Sequence, residues 1–153
     1  MDNETDTDTV TDTKTDTGAR TDTDTDRAWM MREVVEVAGV RHVVVLSADG
    51  LPTTRCGNTD RETGERVAAA ASGLASLGRG LAAEFGTGGH AYHQTLTEFD
   101  GGFIFVRMAG DGSCLAVVTD ARVNAGEIGY RMALQAQRFG EHQGTPYREQ
   151  PVP

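Results

Sequence analysis

Residues 40–52 read VRHVVVLSADGLP, and this stretch decides the fold. Five of its first seven residues are Val or Leu. A continuous apolar run of this length is the pattern of a strand covered on both faces, so a strand in the middle of a sheet is expected. Asp49-Gly50 follows, and Asp-Gly is the strongest short hairpin signal. A type I′ turn, with φ > 0 at both central positions, is expected there.

The flanking chain supplies what pairs with that strand or packs on it. Upstream, residues 27–38 have Met31, Val34, Val35 and Ala38 at helical spacing, with Arg32, Glu33 and Glu36 on the outer face. Gly39 stands where a C-terminal cap belongs. After the turn, residues 51–56 return as LPTTRC. Pro52 has no N–H for a ladder, so this second strand is expected at an edge. A long helix is expected over residues 61–85, then strands at about 90–99, 103–108 and 114–119 joined by tight Gly turns. A last helix begins at Asn124, an N-cap with Glu127 three residues on. Ile128, Met132, Ala136 and Phe139 form its apolar stripe, and Gly140 is expected to end it. The order is α-β-β-α-β-β-β-α. That predicts an α+β fold in which helices pack on a five-stranded antiparallel sheet.

The ends of the chain differ in composition. Residues 1–26 carry ten Thr and eight Asp, largely alternating, with a net charge of −7 from nine acids against Lys14 and Arg20. The whole chain is −9, so residues 27–153 contribute only −2. With almost nothing apolar to bury, residues 1–26 are expected to be a disordered acidic tail. A solubilising bristle, a phospho-acceptor Thr array and weak Ca²⁺ binding are readings of it, and a solvated low-complexity extension is the plainest. Residues 27–140 are the expected domain and 141–153 a flexible C-terminal tail. The charge argues against nucleic acid as a partner. No apolar run reaches the roughly 18–20 residues that span a bilayer, so direct membrane insertion is not expected. Cys56 and Cys114 form no CxxC pair, which suits a reducing, cytoplasmic setting.

The long helix carries two stripes. Val67, Ala71, Leu74, Gly78, Leu81 and Phe85 make the apolar one expected to face the sheet. Ala69, Gly73, Ser76, Gly80 and Ala83 lie on the opposite face, almost all of them small. A helix that merely covers a sheet puts long polar chains outside. Each internal Gly costs about 1 kcal/mol relative to Ala. Small outer residues at that cost suggest close approach of another backbone. The expected dimer or partner interface is Ala69, Gly73, Ser76, Arg79, Gly80 and Ala83, joined by Tyr92, Gln94 and Leu96 of the third strand.

No constellation points to catalysis, a cofactor or a metal. Gly86, Gly88 and Gly89 follow a helix, whereas a phosphate cradle precedes one. His90 and His93, three apart in an expected strand, would face opposite ways. Asp49, Asp100 and Asp111 each sit beside Gly in a turn. Ser47, His42 and Asp49 share one strand and its turn with no nucleophile elbow. Arg79 stands alone between Arg66 and Glu84, readable as a phosphate-reaching finger, an interface ion pair or a solubilising side chain.

The run GVRHVVVLSADGLP, the Ala-rich helix ending FGTG, and GGFIFVRMAGDGSCLAVVTD resemble the roadblock/dynein light-chain family over about residues 29–139. The likeness is nearest to the single-domain proteins of actinobacterial conservon operons. The resemblance implies the element order above, and a homodimer made by pairing third strands and packing second helices. It also implies a non-enzymatic regulator or scaffold of a Ras-like small GTPase. A sensor-kinase-like membrane protein is an implied further partner, which would recruit a cytoplasmic domain to the membrane. The alternatives are a GTPase-activating partner and a small-molecule sensor.

Overall fold

The computed structural model describes residues 31–142, with side chains through Arg138. The expected acidic tail and residues 143–153 lie outside the described residues. The elements are α1 (Arg32–Val35), β1 (Val40–Leu46), β2 (Pro52–Gly57), α2 (Arg61–Phe85), β3 (Gln94–Phe99), β4 (Gly102–Met108), β5 (Cys114–Asp120) and α3 (Ala125–His142). All five strands form one antiparallel sheet in the order β2-β1-β5-β4-β3.

The sheet has a core on each face. Val43, Val45, Phe105, Leu115 and Val117 meet Met31, Val34 and Val37 from the α1 region and Ile128, Met132 and Ala136 of α3. Val44, Leu46, Ile104, Val106 and Ala116 meet Val67, Ala68, Ala71 and Ala75 of α2. The alternation of Val43 and Val45 against Val44 and Leu46 is the period of two that puts neighbours on opposite faces. Two-sided cover therefore explains the unbroken Val run of β1. β1 is nevertheless not the middle strand. That place belongs to β5, which pairs with β1 on one side and β4 on the other. Covered faces identify a strand that is buried, and they do not say which strands flank it.

Three local expectations change. The Asp49-Gly50 turn is not type I′: Gly50 has φ +84, and among described residues His90 is the only non-glycine with positive φ. Ser47 N–H donates to Leu51 O and Gly50 N–H to Ser47 O, each at 2.9 Å. The loop thus holds three residues and ends on a left-handed Gly, the next most common hairpin construction. The β4–β5 connection repeats it, with Ala109 N–H to Ser113 O at 2.9 Å and Gly112 at φ +84.

Second, α1 stops at Val35 with Glu36 as its C-cap. Gly39 is therefore not the cap. At φ +95 it turns the chain into β1, and its carbonyl accepts from Asp120 N–H at 2.8 Å. Because the helix ends early, Val37 takes the buried place expected for Ala38, which is exposed.

Third, β3 starts at Gln94, not near residue 90. α3 also runs through Gly140 to His142. Asn124 is its N-cap as expected, its side-chain oxygen accepting from Glu127 N–H at 3.1 Å. Pro52 lies on β2, an edge strand, also as expected.

Candidate interaction surface

α2 is held at its start and released towards its end. Asp60 caps its N-terminus, accepting from Thr63 N–H at 2.7 Å. That bond holds the Asp60 carboxyl below the usual carboxylate range. The buried residues of α2 are Gly64, Val67, Ala68, Ala71 and Ala75, all in its first fifteen positions. The reason is length. Twenty-five helical residues extend about 37 Å. A sheet of five strands is about 19 Å between its outer strands, and a seven-residue strand is about 23 Å long. The helix must outrun the sheet in whichever direction it lies.

Beyond Ala75, apolar side chains project into solvent. Leu77 is 69% exposed, Leu81 61% and Phe85 76%. At spacings of four they form one ridge on a flank of the helix. Leu81 and Phe85 were expected to face the sheet, and they do not, because no sheet remains beneath them. Phe99, at the end of β3, is 44% exposed. Its partner Gly102 alternates with Ile104, which belongs to the α2 core, so Phe99 lies on the α2 side of the sheet. Sequence reasoning missed Leu77 and Phe99 as surface residues. The i, i+4, i+8 spacing of Leu77, Leu81 and Phe85 was legible, but the extent of the sheet under it was not.

The expected interface residues fall into three groups. Ala69, Gly73, Ser76, Gly80 and Ala83 are exposed on the outer face of α2, and a Cβ on Gly73 or Gly80 would meet nothing within 4 Å. Arg79 is exposed on one flank, its guanidinium 3.9 Å from Met108 Sδ. Tyr92 turns inward instead. Its ring lies beneath Gly78, where a Cβ would be 2.2 Å from the ring edge. Its hydroxyl donates to Thr95 Oγ1 at 2.8 Å. Gly78 is therefore explained within the chain by a close-packed ring, unlike Gly73 and Gly80. Gln94 and Leu96 are opposite Arg107 and Phe105, and Phe105 belongs to the α1/α3 core. These two lie on the sheet face away from α2. They join the α2 residues only through the backbone of β3, whose outer edge is paired by no strand among the described residues.

The ionisable groups offer little chemistry. Burial pushes the Cys114 thiol up to about 11, so it stays protonated at neutral pH and is a poor nucleophile. Burial likewise raises Tyr92. Among the described residues no three His, Cys, Asp or Glu come together as a metal site, and no helix is long and apolar enough to cross a membrane.

Comparison with known proteins places this architecture. No curated protein matches the chain. Among solved structures it is similar to a roadblock/LC7 domain from Streptomyces avermitilis, at 37% identity and a TM-score of 0.69, covering 77% of this chain and 98% of that one. A second roadblock/LC7 structure from that organism is 31% identical, with a TM-score of 0.55 and coverage of 76% and 97%. Myxococcus xanthus MglB shares the fold at 17% identity and a TM-score of 0.67, with coverage of 77% and 94%. The family model described as "Roadblock/LC7 domain" matches residues 28–119, from the residues before α1 to the end of β5. With that match, the 37% identity and the five-stranded sheet between α2 and α1/α3, the chain belongs to the Roadblock/LC7 domain family.

Proposed function

We propose that this protein is a non-enzymatic homodimeric regulator or scaffold that binds a Ras-like small GTPase in a prokaryotic signalling complex. The observation that carries the reading is the far half of α2. Leu77, Leu81 and Phe85 stand exposed beside a small-residue face and close to the open edge of β3. Full burial of such side chains is worth roughly 1.5–3 kcal/mol each. An open strand edge next to an apolar ridge is a template for a second copy. In the dimer the two β3 edges pair, the two α2 helices pack, and their exposed faces form the platform for the GTPase. The roadblock domain works in the cytoplasm and reaches the membrane through its partners, a sensor-kinase-like protein among them.

The other readings have less support. The cleft between α2 and the turns at residues 48–50 and 110–112 is about 110 Å³, too small by itself for a whole small molecule, whose pockets are roughly 300–1,000 Å³. A GTPase-activating role by an Arg finger would rest on Arg79 alone. The test is a pull-down with small GTPases from the same organism, loaded with GTP or GDP, with single-turnover hydrolysis measured on the same samples. The expected outcome is binding that depends on the nucleotide and is lost in Arg or Asp variants of the α2 surface. No binding in either nucleotide state would overturn the reading.

A further inference from the structure

The ladder between β3 and β4 shows which groups β3 offers on its open edge. Met108 N–H donates to His93 O at 3.1 Å. Along an antiparallel ladder, residues that exchange backbone bonds with the neighbour alternate with residues that do not. His93, Thr95, Thr97 and Phe99 therefore turn their N–H and C=O towards β4. Gln94, Leu96 and Glu98 turn theirs outward, where no strand among the described residues meets them.

The side chains of these three outward residues lie on the α1/α3 face, since Leu96 is opposite Phe105 of that core. Two charges on this face have no ionic partner among the described residues. Arg107 donates only to Gln94 Oε1, at 2.9 Å, and Glu98 makes no hydrogen bond or ion pair. They are apart within one chain. Glu98 is opposite Phe103, four residues from Arg107 along β4, a separation of about 13 Å.

A second copy closes that gap. In a two-fold pairing of identical strands, residue i meets j and j meets i. Directly opposite residues share a face of the sheet, so one residue on the axis must face itself. Within β3 that residue is Thr95, Leu96 or Thr97. Centred on Leu96, every outward residue meets an outward residue. Leu96 faces Leu96, and Gln94 faces Glu98 on both sides of the axis. Three such pairs at two backbone bonds each give six bonds. Centred on Thr95 or Thr97, only two outward pairs form within the strand, giving four. Those registers also set Leu96 against Gln94 or against Glu98. The Leu96 register instead puts Glu98 of the second copy beside Gln94, one strand from Arg107, whose guanidinium already reaches across to Gln94.

We propose that two copies of this chain pair through β3 in a register centred on Leu96, with Glu98 of each copy bonded to Arg107 of the other. This deepens the dimer of the proposed function and rests on it. The crossed charges make the edge selective for a copy of this chain, because a strand without both the acid and the base forfeits one or both contacts.

Charge reversal tests the register, with self-association measured by sedimentation equilibrium. Glu98→Arg and Arg107→Glu should each weaken the dimer on the order of tenfold, since each homodimer then sets like charges together twice. Mixed in equal amounts, the two variants should regain the wild-type affinity, because both contacts then join opposite charges. The double variant should pair with itself and not with the wild type. Thr95→Cys and Thr97→Cys read the register directly. In it they stand opposite each other at about 4.5 Å between Cα atoms, within disulfide range. Oxidation of a mixture should link the one variant to the other, and neither to itself. Dimers indifferent to the reversals, weakened variants that mixing does not rescue, or self-linking of either Cys variant would overturn the register and leave the dimer standing. A wild type that is monomeric at tens of micromolar would overturn the dimer and this inference with it.

Discussion

Gly78 and Gly73 occupy the same helix and have opposite surroundings. A methyl at Gly78 would run into the Tyr92 ring, which its hydroxyl bond to Thr95 holds in place. A methyl at Gly73 would meet nothing within 4 Å. Gly78→Ala is therefore expected to destabilise the fold by about 1–3 kcal/mol. Gly73→Ala should stabilise the isolated chain by about 0.5–1 kcal/mol through helix propensity. Urea denaturation in a Leu81→Asp background, which removes self-association on the present reading, separates these effects from any dimer contribution. Equal effects of the two substitutions would show that the ring does not constrain Gly78. The sequence marks both as glycines inside a helix. It cannot distinguish a glycine kept for a neighbouring ring from one kept for an open surface, because Tyr92 is fourteen positions away from Gly78 along the chain.

At the level of elements, local chemistry was legible wherever a side chain decides the geometry alone. Asn124 caps α3, Pro52 marks an edge strand, and the Val run of β1 reports cover on both faces. What depends on assembly was not legible. The place of β5 at the centre follows from how hairpins stack, and the overhang of α2 from a sheet narrower than the helix is long. The element ends carry a testable charge effect. Asp60 at the start of α2 is held low by Thr63, and Asp120 at the end of β5 by its bonds to Arg122. Each has a folded pKa below its unfolded value, so each adds stability that is present above the unfolded value near 3.9 and lost as pH falls through the folded one. Stability should therefore start to drop as pH falls below about 5 and go on falling until the pH is below the folded values. An Asp60→Asn/Asp120→Asn double variant, which keeps a side-chain acceptor at the α2 cap, should show a flatter slope over that range in denaturant midpoints. An unchanged slope would assign the acid lability elsewhere.

The described residues form a roadblock domain with both sheet faces covered and a long helix, α2, that its own sheet cannot finish covering. Membership of the family follows from the match over residues 28–119 and the 37% identical domain. Self-association is the claim on which the proposed function turns, since the proposed platform for a GTPase would be built from two copies of α2. Sedimentation velocity on the full chain and on Leu81→Asp tests it most directly. Leu81 is 61% exposed, so the substitution costs the isolated fold little. The account predicts a wild type sedimenting at twice the 16.3 kDa chain mass and a Leu81→Asp variant that is monomeric with unchanged secondary structure. A wild type that remains monomeric at tens of micromolar, or a Leu81→Asp variant as dimeric as the wild type, would contradict it.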